Sequence, residues 1–249
     1  MACVAALGLI GRRPYVTEFT QPWRQVVAAI LLVGILALAV LQPVTAFGAV
    51  LEIETETLWF PTLFVGHAML ATFLFLWWRL RDDISLASFV GLSLSNVAHD
   101  LRIGLAAGGF GWLMTVMVTL TIGSIASTIG QVGTPTEVPE FVVWLVELPI
   151  AQKLIIIGIA MTIEEAFFRG FLQARFGLLV SSVLFALSHF SYGLPYMIVG
   201  VFTISLVIGR TFERTGNLLP CMVAHGVFDA IQLLVVLPWV VRQWTANAA

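Results

Sequence analysis

The chain has 249 residues, 59% of them hydrophobic and only 10% charged, with a net charge of −2. A soluble domain is about 25% charged, and here apolar windows long enough to cross a bilayer recur along the whole length. The composition excludes an ordinary soluble domain and offers no basic surface for a nucleic acid. It predicts an all-α polytopic membrane protein of about seven transmembrane helices, within a range of about six to eight.

Residues 1–24 form a short leader with Arg12, Arg13 and Arg24. Its basic residues follow the first apolar ones and no apolar core comes directly after the arginine pair. It is therefore read as leading into an uncleaved first anchor rather than as an export signal. The first span is expected from about Val26 to Phe47, followed by an acidic loop with Glu52, Glu54 and Glu56. The second runs from about Leu58 to Trp78. Residues Asp82 to Arg102 mix polar and apolar types and suggest an interfacial or re-entrant helix. The third span, about Ile103 to Ser127, carries Gly104 and Gly108 at the GxxxG spacing that lets helices approach closely. Residues 128–140 are a loop, and Phe141 to Ile150 fit a short amphipathic surface helix.

Four further spans follow: about Leu154 to Ala174, Leu178 to Phe190, Leu194 to Phe212, and Leu218 to Trp239. Glu213 to Asn217 form a tight reversal before the last one. The domain division expected from this order is an N-terminal set of helices with the interfacial segment, 1–140, and a membrane core, 141–249. With these spans, ten of the twelve Lys and Arg residues fall on one side or just inside it, leaving only Lys153 and Arg242 on the other. By the positive-inside rule the amino terminus is cytoplasmic. Cys3 and Cys221 lie far apart with no CxxC, which supports neither a disulfide framework nor a cysteine metal site. Trp23, Trp77, Trp78, Trp239 and Trp244 fit interface anchors.

The stretch Glu164-Glu165-Ala166-Phe167-Phe168-Arg169 interrupts an apolar run. Each such charge at the bilayer centre costs roughly 3 kcal/mol on insertion scales, so three in six residues need pairing or a function. Counting back from Arg175 puts Glu164 roughly 16 Å into the membrane, and counting forward puts His189 at most about 21 Å in. From Arg214, His225 and Asp229 lie roughly 16 and 22 Å in. All four reach the middle of a core about 30 Å thick, as expected of one shared site. Glu165 and Arg169 are four apart and can pair on one helix face, while Glu164 points about 100° away. One carboxylate is then neutralised structurally and the other faces the cavity. His225 and Asp229 also share a face.

A carboxylate, two imidazoles and a third polar group suit hydrolysis by activated water, with a glutamate held away from bulk water as general base and a neutral histidine to hold water or meet an oxyanion. A serine mechanism has less support, since Ser188 and Ser191 flank His189 but no GxSxG occurs. Zinc needs ligands from three helices, with Glu164, His189 and His225 as candidates, and HExxH is absent. His67, and His99 beside Asp100, belong to no motif and read as structural or interfacial.

Glu164-Glu165-x-x-x-Arg169, then Phe185-x-x-x-His189, then His225-x-x-x-Asp229, together with Arg214-Thr215-Gly216-Asn217-Leu218, resemble the CAAX protease and bacteriocin-processing (CPBP, or ABI) family. The resemblance covers about Glu147 to Val240. It implies a CAAX-protease-like helical core and an intramembrane endopeptidase in which Glu164 activates water, His189 helps hold it, His225 and Asp229 sit at the oxyanion position, and Glu165 and Arg169 are a supporting pair. Relatives with a defined mechanism carry Asn where this chain has Asp229, and an ionised Asp cannot donate to an oxyanion. Asp229 then has to be protonated, orient His225 or bind a metal.

The glutamate-type reading requires no cofactor, and a zinc-dependent version is its alternative. A non-catalytic scaffold or a bacteriocin self-immunity factor would keep the same polar core for assembly. A transporter is disfavoured by the lack of repeated halves. The expected partners are membrane lipid and a protein or peptide substrate, lipidated or a bacteriocin or signal-peptide precursor, with no nucleic acid. The expected location is a bacterial plasma membrane.

Overall fold

A computed structural model describes residues 18–48, 59–81, 84–128, 138, 140–189 and 195–248. The acidic loop with Glu52, Glu54 and Glu56 lies outside the described residues. So do Cys3, Arg12, Arg13, Phe190, Ser191, Leu194 and most of the loop 128–140. All regular structure among the described residues is helical: α1 (Pro22–Gly48), α2 (Trp59–Leu80), α3 (Leu86–Val90), α4 (Val97–Thr128), α5 (Glu140–Glu147), α6 (Ile150–Glu165), α7 (Ala174–Ser188), α8 (Pro195–Thr215), α9 (Leu218–Ile231) and α10 (Leu237–Ala248). Apolar surroundings enforce this choice, because a helix satisfies its backbone groups within one segment. α1 and α8 open on proline, whose missing N–H is unneeded in a first turn.

This is an all-α membrane protein. α2, α4, the run Ile150–Ser188 and the run Leu218–Ala246 are each long and apolar enough to cross a bilayer, and Pro22–Leu38 is a shorter apolar helix. The run Ile150–Ser188 contains two of the expected spans. Gly177 breaks it with φ 83° and ψ 173°, a left-handed conformation open to glycine and strained for other residues. The chain folds back there, and Ser181 Oγ donates to the Phe168 carbonyl at 2.6 Å across the reversal.

The segment expected to be interfacial is the short helix α3 and an irregular stretch. α4 then begins six residues ahead of the expected span, at Val97. The expected surface helix is α5, none of whose residues is buried.

Polar contacts tie one end of the bundle together. Arg24 donates to the Leu80 carbonyl at 3.1 Å. Glu18 accepts from Arg175 at 2.8 Å and pairs with Arg81 at 3.3 Å. Asn217, the N-cap of α9, accepts from the Leu219 N–H at 3.2 Å and the Ser93 N–H at 2.9 Å, and donates to Asp100 at 2.9 Å. This clamp fixes the start of the helix that carries His225. Trp77 departs from its expected interface role. It is fully buried, with its ring 4.8 Å from that of Phe171, because α2 turns that edge toward the aromatic core under the Arg175 end.

Gly104 and Gly108 do mark a close approach. A Cβ at 108 would stand 2.7 Å from the Ala224 carbonyl and 2.8 Å from Val227 Cβ, and one at 104 would stand 2.8 Å from the Pro220 carbonyl. α9 therefore lies directly on α4 at the level of His225. Gly108→Val should force the two helices apart and cost ~1–3 kcal/mol, read as a lower unfolding midpoint in detergent. An unchanged midpoint would count against this packing.

Candidate active site

Glu164 and Glu165 are the last two residues of regular α6. Residues Ala166–Gln173 continue it as a π-helix, a rare form that is frequent at functional sites. A second π stretch, Gln232–Val236, follows α9 three residues after Asp229. Both site-bearing helices thus loosen directly beyond their polar residues. His189 sits at the end of α7 with φ −100° and ψ 9°, already out of the helix.

The two carboxylates divide as their 100° separation predicts. Glu165 and Arg169 are both 0% exposed and pair at 3.0 Å. The other Glu165 oxygen lies 2.8 Å from His225 Nδ1. Arg169 also donates to Ser205 Oγ at 3.1 Å, and its guanidinium lies 5.0 Å from the Phe185 ring centroid. Glu165 is therefore a structural hub that joins α6 to α9.

Glu164 is buried. Its Oε1 lies 2.9 Å from His67 Nε2, and its Oε2 is 3.8 Å from His189 Nε2, beyond hydrogen-bond length. Oε2 has no hydrogen-bond partner among the described residues. His189 Nδ1 lies 2.8 Å from the Phe185 carbonyl. A carbonyl only accepts, so this nitrogen carries a proton, and in the neutral ring Nε2 then turns its lone pair toward Glu164. Ser188 Oγ also donates to the Phe185 carbonyl, at 2.8 Å. His189 Nδ1, 3.2 Å from that hydroxyl, is a donor and cannot take its proton, which removes the support for Ser188 as a nucleophile.

His225 Nε2 is 3.4 Å from Asp229 Oδ2. Both ring nitrogens of His225 therefore face carboxylates. The zinc set Glu164, His189 and His225 does not fit this geometry, since His225 is turned to Glu165 and Asp229 rather than to Glu164. Among the described residues no group of three His, Cys, Asp or Glu side chains is arranged to hold a metal ion.

The structure brings Glu164 to His189, Glu165 to Arg169 and His225, and His225 to Asp229. It adds His67, which motif reading passed over as a lone histidine in an apolar helix. Depth reckoning could have found it, because counting back from Arg79 puts His67 about 18 Å into the membrane, level with Glu164. His99 is exposed and takes no part.

Helices gathered around a shared polar centre inside an apolar bundle define the class of multi-span membrane proteins with a buried site. Residues 146–231 match the family described as type II CAAX prenyl endopeptidase Rce1-like, which is the CAAX protease and bacteriocin-processing family that the sequence motifs resemble. The matched segment contains Glu164, Glu165, Arg169, His189, His225 and Asp229, but not His67. The chain is also similar to the uncharacterized protein YpbD of Bacillus subtilis, 42% identical over 69 residues, which are 27% of this chain and 36% of that protein. It thus spans about a third of the curated relative it matches. No solved structure matches the chain.

Proposed function

We propose that the protein is an intramembrane endopeptidase that hydrolyses a peptide bond in a membrane-associated protein or peptide, with Glu164 as the base that activates water. The observation that carries this reading is the buried, unpartnered Glu164 Oε2 facing His189 Nε2 at 3.8 Å. Two acceptors at that separation suit one water, which can donate an O–H to each from about 2.8 Å. The family match supports the same class of reaction.

The water oxygen attacks the scissile carbonyl carbon while Glu164 Oε2 takes its proton. The tetrahedral oxyanion accepts from His225 Nε2–H, and the oriented donor stabilises charge as it develops. On collapse, the C–N bond breaks and Glu164 returns the proton to the leaving nitrogen, giving a carboxylic acid end and an amine. Glu165 can only accept, so Nδ1 donates to it and His225 acts as an imidazolium whose second proton, on Nε2, is the one presented. Asp229, 3.4 Å from that nitrogen, orients it as an acceptor and needs no proton of its own. Asp229→Asn preserves an acceptor there and adds a donor, so it should keep activity within about tenfold, whereas His225→Ala should lose ~10²–10³-fold in kcat. Arg24, Arg81 and Arg175, gathered at one end of the bundle, favour a cytoplasmic position for that end in a bacterial plasma membrane.

The deciding experiment is cleavage of a quenched peptide library by purified protein in nanodiscs, comparing wild type, Glu164→Gln and His225→Ala with and without a chelator. Activity lost in both variants and kept with chelator supports the glutamate mechanism. Loss with chelator that zinc restores replaces it with a metal-dependent one. A well-folded wild type that cleaves nothing rejects the enzyme in favour of a scaffold or immunity role.

A further inference from the structure

We propose that His67, on α2 and outside the family-matched segment, is a positioning residue for Glu164: it holds Oε1 so that Oε2 faces His189 across the water position. The inference rests on the reading of Glu164 as the base and assigns to the N-terminal helices a part in the site.

The terminal torsion of a glutamate is broad and nearly two-fold, so a carboxylate with neither oxygen held presents no defined lone pair. Here one oxygen is held. His67 Nε2 lies 2.9 Å from Oε1, and its Nδ1 lies 3.0 Å from the Leu63 carbonyl. The carbonyl can only accept, so Nδ1 carries a hydrogen and the ring is fixed at both nitrogens. The bond to Oε1 needs one more proton. When Glu164 is ionised, as a base must be, that proton is on His67. The pair is then an imidazolium and a carboxylate with no net charge, which offsets part of the cost of a lone carboxylate at this depth.

The helix that brings His67 has its register set nearby. Phe73, six residues on, packs its ring 5.5 Å from Phe167 and 4.8 Å from Phe171, on the π stretch that begins two residues after Glu164. Phe64, 6.1 Å from the imidazole, flanks it on the same helix. The other titratable groups facing this pair are His189 from α7 and His225 from α9.

The test uses full-length protein in nanodiscs with three substitutions at one site. His67→Leu fills the space without a donor, His67→Gln supplies a neutral N–H₂ that can reach the same oxygen, and His67→Met is a second, more adaptable filler without a donor. The expected result is a fall in kcat of ~10–100-fold for Leu, with KM nearly unchanged and recovery of most of the rate by Gln. His67→Met should be as poor as Leu and decides the comparison with Gln if Leu does not fold. Equal rates for Gln and the variant without a donor, full kcat in Leu, or a loss confined to KM would overturn the role. Glu164→Gln measured beside them separates two failures. Activity that survives Glu164→Gln rejects the base itself, whereas a dead Glu164→Gln with a fully active His67→Leu rejects only the part given to His67.

Discussion

Glu164→Gln is expected to lower kcat by ~10²–10⁴-fold, the range of a lost general base, while KM and the unfolding midpoint stay close to wild type. The substitution changes almost no volume. Its remaining oxygen can still accept from His67 at the Oε1 position. The amide nitrogen then occupies the Oε2 position, which faces His189 Nε2 at 3.8 Å. A lone pair that could take a proton from water becomes a donor that cannot, and a water held between the two residues would be turned around. The effect therefore appears in the chemical step rather than in substrate binding. Single-turnover cleavage of a library peptide measures it. A rate within a few-fold of wild type, in protein that unfolds normally, would remove Glu164 from the chemistry.

How much of this site was legible beforehand depends on what each residue answers to. Glu165 and Arg169 are a local matter. A four-residue spacing and the expense of charge in an apolar run point to pairing, and both side chains prove to be wholly buried and bonded. The opposite fate of Glu164 follows from the 100° step between adjacent helical residues. His225 is harder. Its depth was legible, but its attachment to Glu165 depends on how closely α9 rides on α4 at Gly104 and Gly108, and a glycine spacing alone does not say which partner comes close. His67 was illegible to motif reading because its partner is 97 positions away and its helix offers no second polar residue at a helical spacing. The π stretch after Glu165 had no signature either, since widening a turn changes the hydrogen-bond register and not the apolar content. The spans were read from apolar length. The reversal that separates two of them rests on a single glycine, Gly177, inside a run that stays helical on both sides.

Arg169→Met should be the most destabilising single change in the core, costing ~3–5 kcal/mol, as when one partner of a buried ion pair is removed. Glu165 would lose the bond to Arg169 Nε at 3.0 Å and keep only His225. Ser205 would lose its donor at 3.1 Å, and Phe185 the cation over its ring. Both side chains are 0% exposed, so bulk water does not reach them to take the place of these partners. Adding Glu165→Gln to Arg169→Met should recover much of the loss. Gln has no charge to strand, and its oxygen still accepts from His225 Nδ1. Replacing a buried pair by neutral groups is often neutral or better for stability. The double variant should therefore unfold at a higher denaturant concentration than Arg169→Met alone, and its residual cleavage reports whether His225 still presents Nε2. If Arg169→Met unfolds like wild type, the pair is not holding α6 to its neighbours. If the double variant is no more stable than the single one, the loss comes from packing around the guanidinium rather than from a stranded carboxylate.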